Sequence, residues 1–455
     1  NIYLSYIIMK SIFIFRRDYR LKDNIGLLNC YQNSKDIYPI FIFTPEQITN
    51  NNYKSDNAVQ FLIESLKDLN KDTDNKLNLF YGNHIEVLKS LKNNLNIDKI
   101  FTNTDYTPYG IKRDEELEKF CKDNSIEFNK SHDICLFPPG SMKQYKVFTP
   151  YYRYILNKSI PKVTKKIKKN KFLKINKNKF LIDFKETDKY FTYNKNLNVN
   201  GGRKNGKKIM NSIKKFDKYD ITRDVLNLKT THLSGYLKFG CLSIREVSHK
   251  IIKELGLKHP LFRQIIWREF HYQLEYFNKD RFGKNMIEKY DNMKWDKNTL
   301  LQKWKDGQTG YPVVDSGMRQ MNATGFMHNR CRMITASFLC KTLGIDWREG
   351  EKYFAQKLLD YDVYVNNSNW QNISSTGFGS SPYFRIFNPW TQSQKFDKQC
   401  KYIKKWIPEL KNVDNKDIHS WDKSYKKYPF ASYPSPILDY KQSREKILKM
   451  YRDVN

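Results

Sequence analysis

The chain has 455 residues, a length at which one hydrophobic core stops growing, so two domains are expected and a single small binding module is excluded. A formal net charge of +33, from 81 Lys and Arg against 48 Asp and Glu, favours a polyanionic partner over a small neutral metabolite. The aromatic fraction of 15% points the same way, because basic surfaces with aromatic rings suit unstacked nucleic acid. AT-rich codon usage would also enrich Lys, and this second explanation of the charge stays open.

The sequence contains no pattern typical of a metal site, a disulfide framework or a membrane span. Its seven Cys residues are scattered without C-x-x-C or Cys/His spacing. The apolar stretch from Ile2 to Phe15 is broken by Lys10 and followed by Arg16, so it is not a bilayer span. We therefore expect a soluble intracellular protein, with residues 1–8 as an extension ahead of Met9 that lies outside the fold.

The first predicted elements are four short apolar runs that alternate with helical patterns, and they lie at residues 11–15, 37–43, 77–81 and 97–102. This alternation is typical of a parallel α/β sheet with crossover helices. The sequence thus predicts an α/β N-terminal domain over residues 9–135.

The next segment, residues 136–204, loses apolar periodicity and becomes rich in Lys and Asn, as in Lys165–Lys171. We interpret it as a solvated interdomain linker, with a DNA-binding tail as the alternative. From residue 205 to 455 the spacing is helical, and two apolar faces illustrate it: Trp267, Phe270 and Leu274, then Trp347, Phe354 and Leu358. An all-α C-terminal domain is expected.

A dense block of motifs lies in that helical half, while P-loop, G-x-S-x-G, H-E-x-x-H and Rossmann glycine motifs are missing. The block contains Gly310–Asp315, Met327–Met333, Asp346–Gly350, Asn366–Gln371 and Pro382–Pro389, and two further motifs are Phe15–Leu21 and Leu136–Gly140. With these motifs the chain resembles the photolyase/cryptochrome family over nearly its whole length after residue 9, and most of all the class I cyclobutane-dimer photolyases.

The resemblance implies that the helical domain binds FAD, active in its reduced form, and that the N-terminal domain can hold a second, antenna chromophore of unknown identity. It places the FAD contacts at Tyr219, Thr230, Thr231, His232, Leu233, Ser234, Arg332, Asp360, Asp362 and Asn366. Among these, the segment from Thr230 to Ser234 would bind the pyrophosphate. Arg332 would pair with Asp360, and Asn366 would face flavin N5.

Two further residue sets follow from the resemblance. The family's electron-transfer chain for photoreduction matches Trp370, Trp347 and Trp295. The positions that contact the flipped lesion or the flanking DNA match Gln264, Trp267, Asn329, Arg330, Met333, Asn372, Arg385 and Lys395. Since (6-4) photolyases carry histidines where this chain has Asn329 and Met333, repair of (6-4) lesions is disfavoured; the neighbouring His328 is expected to be structural.

Three positions depart from the cyclobutane-photolyase pattern. Gln264 replaces a glutamate that binds the lesion bases, Asn372 replaces the second tryptophan of the aromatic clamp, and Phe326 replaces a tryptophan. Glutamine retains hydrogen bonding but offers no carboxylic proton. In the antenna region, Tyr106–Gly110 lacks the Asn-Glu pair that holds folate in some relatives, so the antenna stays unassigned.

The expected function is light-driven repair of cyclobutane pyrimidine dimers in UV-damaged DNA, the activity of a deoxyribodipyrimidine photo-lyase, which is a carbon-carbon lyase. The expected protein is a monomer that needs no metal and no membrane and acts in the cytoplasm or nucleus, wherever the DNA lies. A cryptochrome-like photoreceptor with weak or no repair is the alternative, motivated by Gln264 and Asn372. A merely basic DNA-binding protein, which would be colourless, is the third hypothesis.

Overall fold

The computed structural model describes residues 9–378 and 384–454, apart from the side chain of Asn298. The expected extension at residues 1–8 lies outside the described residues, as do Pro382 and Tyr383 of the Pro382–Pro389 motif.

A six-stranded sheet forms the N-terminal part of the molecule. Its strands are β1 (Lys10–Ile14), β2 (Asp36–Phe43), β3 (Asn78–Tyr81), β4 (Lys99–Asn103), β5 (Glu127–Ser131) and β6 (Leu181–Ile182). They lie in the order β5-β4-β1-β2-β3-β6, all parallel except β6, which pairs antiparallel with β3. The central strands are continuous apolar runs because helices cover both faces of the sheet. The predicted α/β architecture is confirmed.

Besides seven short 3₁₀ helices, the remaining elements of the described residues are α-helices. Their bounds are α1 (Ile25–Gln32), α2 (Pro45–Ile48), α3 (Asp56–Asp72), α4 (His84–Leu95), α5 (Pro108–Asp123), α6 (Phe148–Leu156), α7 (Arg203–Asn211), α8 (Tyr219–Thr222), α9 (Ser234–Lys238), α10 (Ile244–Leu255), α11 (Pro260–Phe277), α12 (Leu301–Lys305), α13 (Pro312–Thr324), α14 (Asn329–Lys341), α15 (Trp347–Lys357), α16 (Val363–Ser374), α17 (Pro389–Phe396), α18 (Lys401–Trp406), α19 (Asn415–Ile418), α20 (Trp421–Ser424) and α21 (Tyr440–Arg452). Among the described residues after 205 there are helices but no strand, as expected. None of these helices is both long and apolar enough to cross a bilayer, within the part of the chain described.

The Lys/Asn-rich segment differs from the solvated linker that its composition predicts. It supplies β6 to the sheet, and Phe172 forms a bridge with Ile37 of β2. Ile167, Phe172 and Ile175 are buried, while Lys168 and Lys174 between them are exposed. Widely spaced apolar residues are sufficient to anchor an irregular segment, and such spacing has no helical or strand period to detect.

One buried charge network ties the sheet to the helices. Arg245 on α10 donates from Nε to Asp23 at 2.9 Å and from Nη2 to Asp133 at 2.6 Å, and Arg20 donates to the second oxygen of Asp133 at 2.5 Å. Because buried charges are costly unless paired, this arrangement fixes the two parts of the chain in one relative position.

Candidate active site

A cavity of about 120 Å³ lies between α14 and α16. Asn329 and Met333 are one turn apart on α14, and Asn366 and Trp370 are one turn apart on α16, so each helix presents one face to the cavity. The amide of Asn329 lies 3.9 Å from the Met333 sulfur. The sequence-predicted lesion contacts on α14 and the predicted flavin contact on α16 therefore share one cavity.

Asp360 at the cavity wall is held by a cation and a hydroxyl. Arg332 Nη2 donates to both carboxylate oxygens of Asp360 at 3.0 Å, and Ser234 Oγ donates to Oδ2 at 2.6 Å. The Arg332 Nε donates to the carbonyl of Met327 at 2.9 Å, which fixes the guanidinium plane. The predicted Arg332–Asp360 pair is present, and it places beside the cavity a guanidinium whose charge Asp360 offsets.

Asp362 links the start of α16 to Arg17, in the segment that follows β1. Arg17 Nη2 donates to Asp362 at 2.6 Å, the Tyr272 hydroxyl donates to it at 2.9 Å, and Arg268 lies 3.7 Å away. Burial alone would raise the pKa of Asp362, but Arg17 and Arg268 hold this pKa below its usual value. Asp362 is therefore an ionised carboxylate whose orientation depends on residues from both halves of the chain.

Asn366 has a partner that the sequence did not indicate. Its Nδ2 donates to Glu351 Oε1 at 3.3 Å, and the Tyr361 hydroxyl donates to the same oxygen at 2.8 Å. Glu351 is buried, and burial raises its pKa. The Asn366 amide thus has a fixed orientation, with its nitrogen directed at Glu351.

The predicted pyrophosphate segment lies near the same cavity. The hydroxyl of Ser234 is the one that binds Asp360, and His232 has a positive φ of 51°. Asn198 Nδ2 donates to His232 Nδ1 at 2.8 Å, while burial lowers the pKa of His232 to about 4, so the ring is neutral. Phe326, one of the departures from the family pattern, contacts both this ring and the Arg332 guanidinium. Half-buried Tyr219 begins α8.

Hydroxyls, a paired guanidinium, two carboxylates and an oriented amide supply hydrogen-bond donors and acceptors of the kinds that a flavin dinucleotide can use. The residues present fit FAD. Those that would hold it are the predicted set around Arg332, Asp360, Asn366 and the segment Thr230–Ser234.

The three predicted electron-transfer tryptophans differ in burial. Trp370 lines the cavity, Trp347 is completely buried with its indole N–H donating to Asn285 Oδ1 at 2.9 Å, and Trp295 is half-buried. Gly350 allows Trp370 to pack on α15, because a Cβ atom there would fall 2.2 Å from the Trp370 ring. The burial falls from Trp347 to Trp295, as an electron path from the cavity to the surface requires.

The predicted lesion-stacking residue, Trp267, does not line the described cavity. One face of its ring stacks on Phe148 of α6, with centroids 3.6 Å apart and planes 5° apart. His271 connects Trp267 to the cavity. His271 Nδ1 lies 2.8 Å from Ser368 Oγ, and His271 Nε2 accepts a hydrogen bond from Asn369 at 3.2 Å. Asn369 in turn lines the cavity. Phe148, His271 and Asn369 were not predicted.

The two departing lesion positions also lie away from the cavity lining. The Gln264 side chain donates to the Pro260 carbonyl of its own helix at 3.3 Å. Asn372 lies on α16, and its carbonyl accepts the N–H of Ser375. The structure does not bring either side chain to the cavity.

The predicted phosphate-contacting cations have different environments. Arg330 is paired with Asp224, Nη2 to Oδ2 at 2.8 Å, so part of its charge is already compensated. Arg385 and Lys395 are exposed. His328 caps α14, with its Nδ1 accepting the N–H of Arg330 at 3.2 Å, and this contact supports its structural interpretation.

A second cavity, of about 540 Å³, opens at the carboxyl ends of β1 and β2. The chain runs from β1 to β2 on one side and returns to β4 on the other, so this is the position where ligands bind in open α/β sheets. Ile14, Phe43 and Ile48 form an apolar surface, and Arg16 and Arg113 line the wall. Arg16 Nη1 donates to Asp114 at 2.5 Å, and Arg113 Nε lies 3.5 Å from the same carboxylate. The buried Nη2 of Arg16 and the buried Nε and Nη2 of Arg113 have no hydrogen-bond partner among the described residues.

Comparison with known proteins places these features in a family. The model for "DNA photolyase" matches residues 11–168, and the model for "FAD binding domain of DNA photolyase" matches residues 261–453. The deoxyribodipyrimidine photo-lyase of Buchnera aphidicola subsp. Baizongia pistaciae is 36% identical over 471 residues, covering 96% of this chain and 97% of that protein. The Escherichia coli K12 protein of the same name is 33% identical, with 96% and 97% covered.

Solved structures give the same result. The archaeal photolyase from Sulfolobus tokodaii, described as containing two FAD molecules, superposes with a TM-score of 0.88 at 36% identity, covering 98% of this chain and all of that one. The Synechocystis sp. PCC6803 cryptochrome also superposes with a TM-score of 0.88, at 26% identity, with 97% and 99% covered.

Proposed function

The chain belongs to the DNA photolyase family, and we propose from this premise that it is a deoxyribodipyrimidine photo-lyase that repairs cyclobutane pyrimidine dimers in DNA in the light. The observation that carries the proposal is the single cavity between α14 and α16. Asn366 and the Arg332–Asp360 pair, proposed to hold FAD, open into it together with Asn329 and Met333, proposed to contact the dimer. Flavin and lesion would therefore lie in contact.

When bound, reduced FAD would absorb the light and lend the dimer an electron that returns after the ring bonds break, with no net redox change. The chain's own residues would bind and orient the cofactor and the lesion. We propose that Arg332 stabilises negative charge on the cofactor side, that the Asn366 amide, held by Glu351, faces the flavin ring, and that the Asn329 amide hydrogen-bonds the lesion bases. Met333 supplies an adaptable apolar wall.

The lesion has to leave the base stack, at a cost of a few kcal/mol. We propose that the flipped dimer packs against Trp267, whose ring is held by stacking on Phe148 and by contact with His271. Arg385 and Lys395 would contact the flanking phosphates, since both are exposed and cationic. Trp370, Trp347 and Trp295 would carry electrons during photoreduction.

Repair of cyclobutane dimers is favoured over repair of (6-4) lesions because no histidine lines the described cavity. His328 is nearby, but it caps α14, and burial lowers its pKa to about 4, so it is a neutral acceptor. Proton transfer from an imidazolium, which (6-4) repair needs, has no candidate here.

The proposal is tested with purified protein loaded with reduced FAD and oligonucleotides carrying either lesion. Illumination should restore the cyclobutane substrate and leave the (6-4) substrate unchanged, and dark samples should show no repair. Absent or light-independent repair at confirmed FAD occupancy would overturn the proposal. A ratio near one between affinities for damaged and undamaged DNA would instead favour the photoreceptor alternative.

We further propose that the second cavity holds the second chromophore, a planar ring system that bears a phosphate. The apolar surface suits such a ring, and Arg16 and Arg113 offer donors to an anion. Burial, with the neighbouring Arg113, lowers the pKa of Arg16 to about 10, although Asp114 lies within ion-pair distance of both guanidinium groups. Titration with FAD should show a second bound equivalent that Arg113→Gln abolishes; unchanged stoichiometry in that variant would contradict the assignment.

We also propose that the protein acts as a monomer on the DNA of the cell. Sedimentation of the flavin-loaded protein tests the first part of this statement, and a dimer mass would contradict it.

A further inference from the structure

Lys341, the last residue of α14, is a buried amine that the proposed mechanism does not use. Only 3% of its surface is exposed. Its Nζ donates to the Ser375 hydroxyl at 2.6 Å and to the backbone carbonyl of Arg385 at 2.9 Å, and the Phe384 ring centroid lies 4.5 Å from it. One nitrogen therefore joins α14 to the end of α16 and to the Arg385 segment (residues 384–388).

Burying this amine costs free energy that an apolar side chain of the same length would not cost. Burial lowers the pKa of Lys341 to about 7. Both acceptors are neutral oxygens, and the ammonium and the neutral amine each carry at least two N–H groups to donate to them. The position therefore requires two donors at the end of a long side chain, in either protonation state.

The helix that carries Lys341 also holds the Arg385 segment at a second point. Ser337, one turn earlier on α14, accepts the backbone N–H of Phe387 on its Oγ at 3.3 Å. One further turn toward the start of α14 lies Met333, which lines the proposed lesion cavity. At 1.5 Å per residue, Met333 and Lys341 are about 12 Å apart along the helix axis. A single helix thus sets the separation between this cavity and the Arg385 segment.

The contact with Lys341 leaves the side chain of Arg385 available. Lys341 binds the backbone carbonyl, and the Arg385 residue is exposed while its neighbours Phe384 and Ile386 are half-buried. The Phe384 ring packs on Tyr451, with centroids 4.4 Å apart. The buried contacts of the backbone and of the neighbouring side chains therefore hold the guanidinium at the surface.

We propose that Lys341 is a positioning residue for DNA binding, which holds the Arg385 carbonyl so that the Arg385 guanidinium meets a backbone phosphate at a fixed distance from the lesion cavity. The inference rests on the proposed function, which assigns Arg385 to a phosphate. Without the bond to Lys341, DNA would have to order the Arg385 segment on binding, and that ordering costs affinity.

The first test measures the affinity for undamaged duplex DNA against salt concentration, in the dark and with flavin-loaded protein. Lys341→Met keeps the length of the side chain and removes its donors. Like Arg385→Ala, it should reduce the magnitude of the log–log slope by about 1, as expected for one lost phosphate contact. Since both changes remove the same contact, the double variant should match Arg385→Ala alone; additive losses would overturn the proposal.

Ser375→Gly is the matched control, because it removes the other hydrogen bond of the same nitrogen. Ser375 has a positive φ of 65°, which glycine adopts without strain. The bond from Lys341 to the Arg385 carbonyl remains in this variant, so its salt slope should equal that of the wild type. A loss equal to that in Lys341→Met would show a general disturbance of the ends of α14 and α16, and the proposal would be wrong.

A second readout needs no DNA. In Lys341→Met, the backbone amides of the Arg385 segment should exchange with solvent about tenfold faster than in the wild type, while those of α13 should be unchanged. Unchanged exchange in the Arg385 segment would overturn the proposal.

Lys341→Gln, which retains two donors on a shorter side chain, provides a second variant. If both Lys341→Met and Lys341→Gln are unfolded, Lys341 serves folding and the proposal is wrong. Failure of the wild-type protein to repair dimers would instead contradict the proposed function, and the exchange and salt measurements, made in the dark without lesions, would be unaffected.

Discussion

At the scale of single residues, the sequence identifies side chains that lie within one motif but not their distant partners. Asp360, Asp362 and Asn366 fall within one short stretch, and Arg332 lies two helices earlier, on α14. Glu351, which orients Asn366, carries no sign of this contact in the sequence. Such partners are fixed by helix packing, and no single-sequence pattern records which buried glutamate faces which amide.

The tryptophans allow a prediction that separates burial from function. Trp347→Phe should reduce the rate of light-driven flavin reduction about tenfold or more, because the path from Trp370 to Trp295 is interrupted. Absorbance of the flavin under illumination with a thiol reductant measures this rate.

Trp304→Phe is the matched control for that prediction. Trp304 is as buried as Trp347 and contacts the Trp370 ring at 6.4 Å, but it lies outside the predicted chain. Equal slowing in both variants would show that buried indoles in general, rather than the predicted path, determine the rate.

Asp362 gives a prediction about acid stability. Removing one partner of a buried ion pair leaves an uncompensated charge, so Asp362→Asn should lower the free energy of unfolding at pH 7 by about 3–5 kcal/mol. Since the folded pKa of Asp362 is depressed, the contribution is present above the unfolded pKa of 3.8 and is lost as pH falls below it. Denaturant titration should show that the free energies of unfolding of the wild type and Asp362→Asn differ less at pH 3 than at pH 7. An equal difference at both pH values would contradict this prediction.

At the scale of elements, burial decides what the sequence can reveal. The runs at residues 11–15 and 37–43 predict β1 and β2 within one residue, because both faces of these strands are covered and the apolar run is continuous. β5 has a half-exposed, polar sequence, and β6 has only two residues, so neither produces a detectable run. The Lys/Asn-rich segment was misinterpreted for the same reason.

The contact between α6 and α11 leads to a prediction at this scale. Phe148→Leu keeps most of the apolar volume but removes the ring that stacks on Trp267, and it should reduce stability by about 0.5–1.5 kcal/mol. Without that ring the Trp267 face loses its fixed orientation, so affinity for dimer-containing DNA should fall while affinity for undamaged DNA stays the same. Binding of both DNAs measured at one salt concentration checks this; a parallel loss for both would show a general defect.

At the scale of the whole molecule, the 81 Lys and Arg residues divide into cations paired with carboxylates and free cations, and only the structure separates them. Arg17, Arg20 and Arg245 lie in buried ion pairs that join the sheet to the helices. Arg330 is paired with Asp224. The number of Lys and Arg residues therefore overstates the cations available to DNA, and exposed residues such as Arg385 and Lys395 are the ones that count.

This distribution sets the salt dependence of DNA binding. About four to five phosphate contacts should give a log–log slope of affinity against salt near −4, far less than the net charge suggests. The double variant Arg385→Ala and Lys395→Ala should reduce the magnitude of this salt slope by about 2. It should weaken the binding of damaged and undamaged DNA equally, because phosphate contacts do not distinguish a lesion from normal bases. Lys165→Ala and Lys168→Ala, exposed lysines of the segment beside the sheet, serve as the charge-matched control and should leave the slope unchanged. If the control variant lowers the slope as much as the Arg385 and Lys395 variant does, DNA binds along the Lys-rich segment. That result would favour the DNA-binding tail over the binding face proposed here.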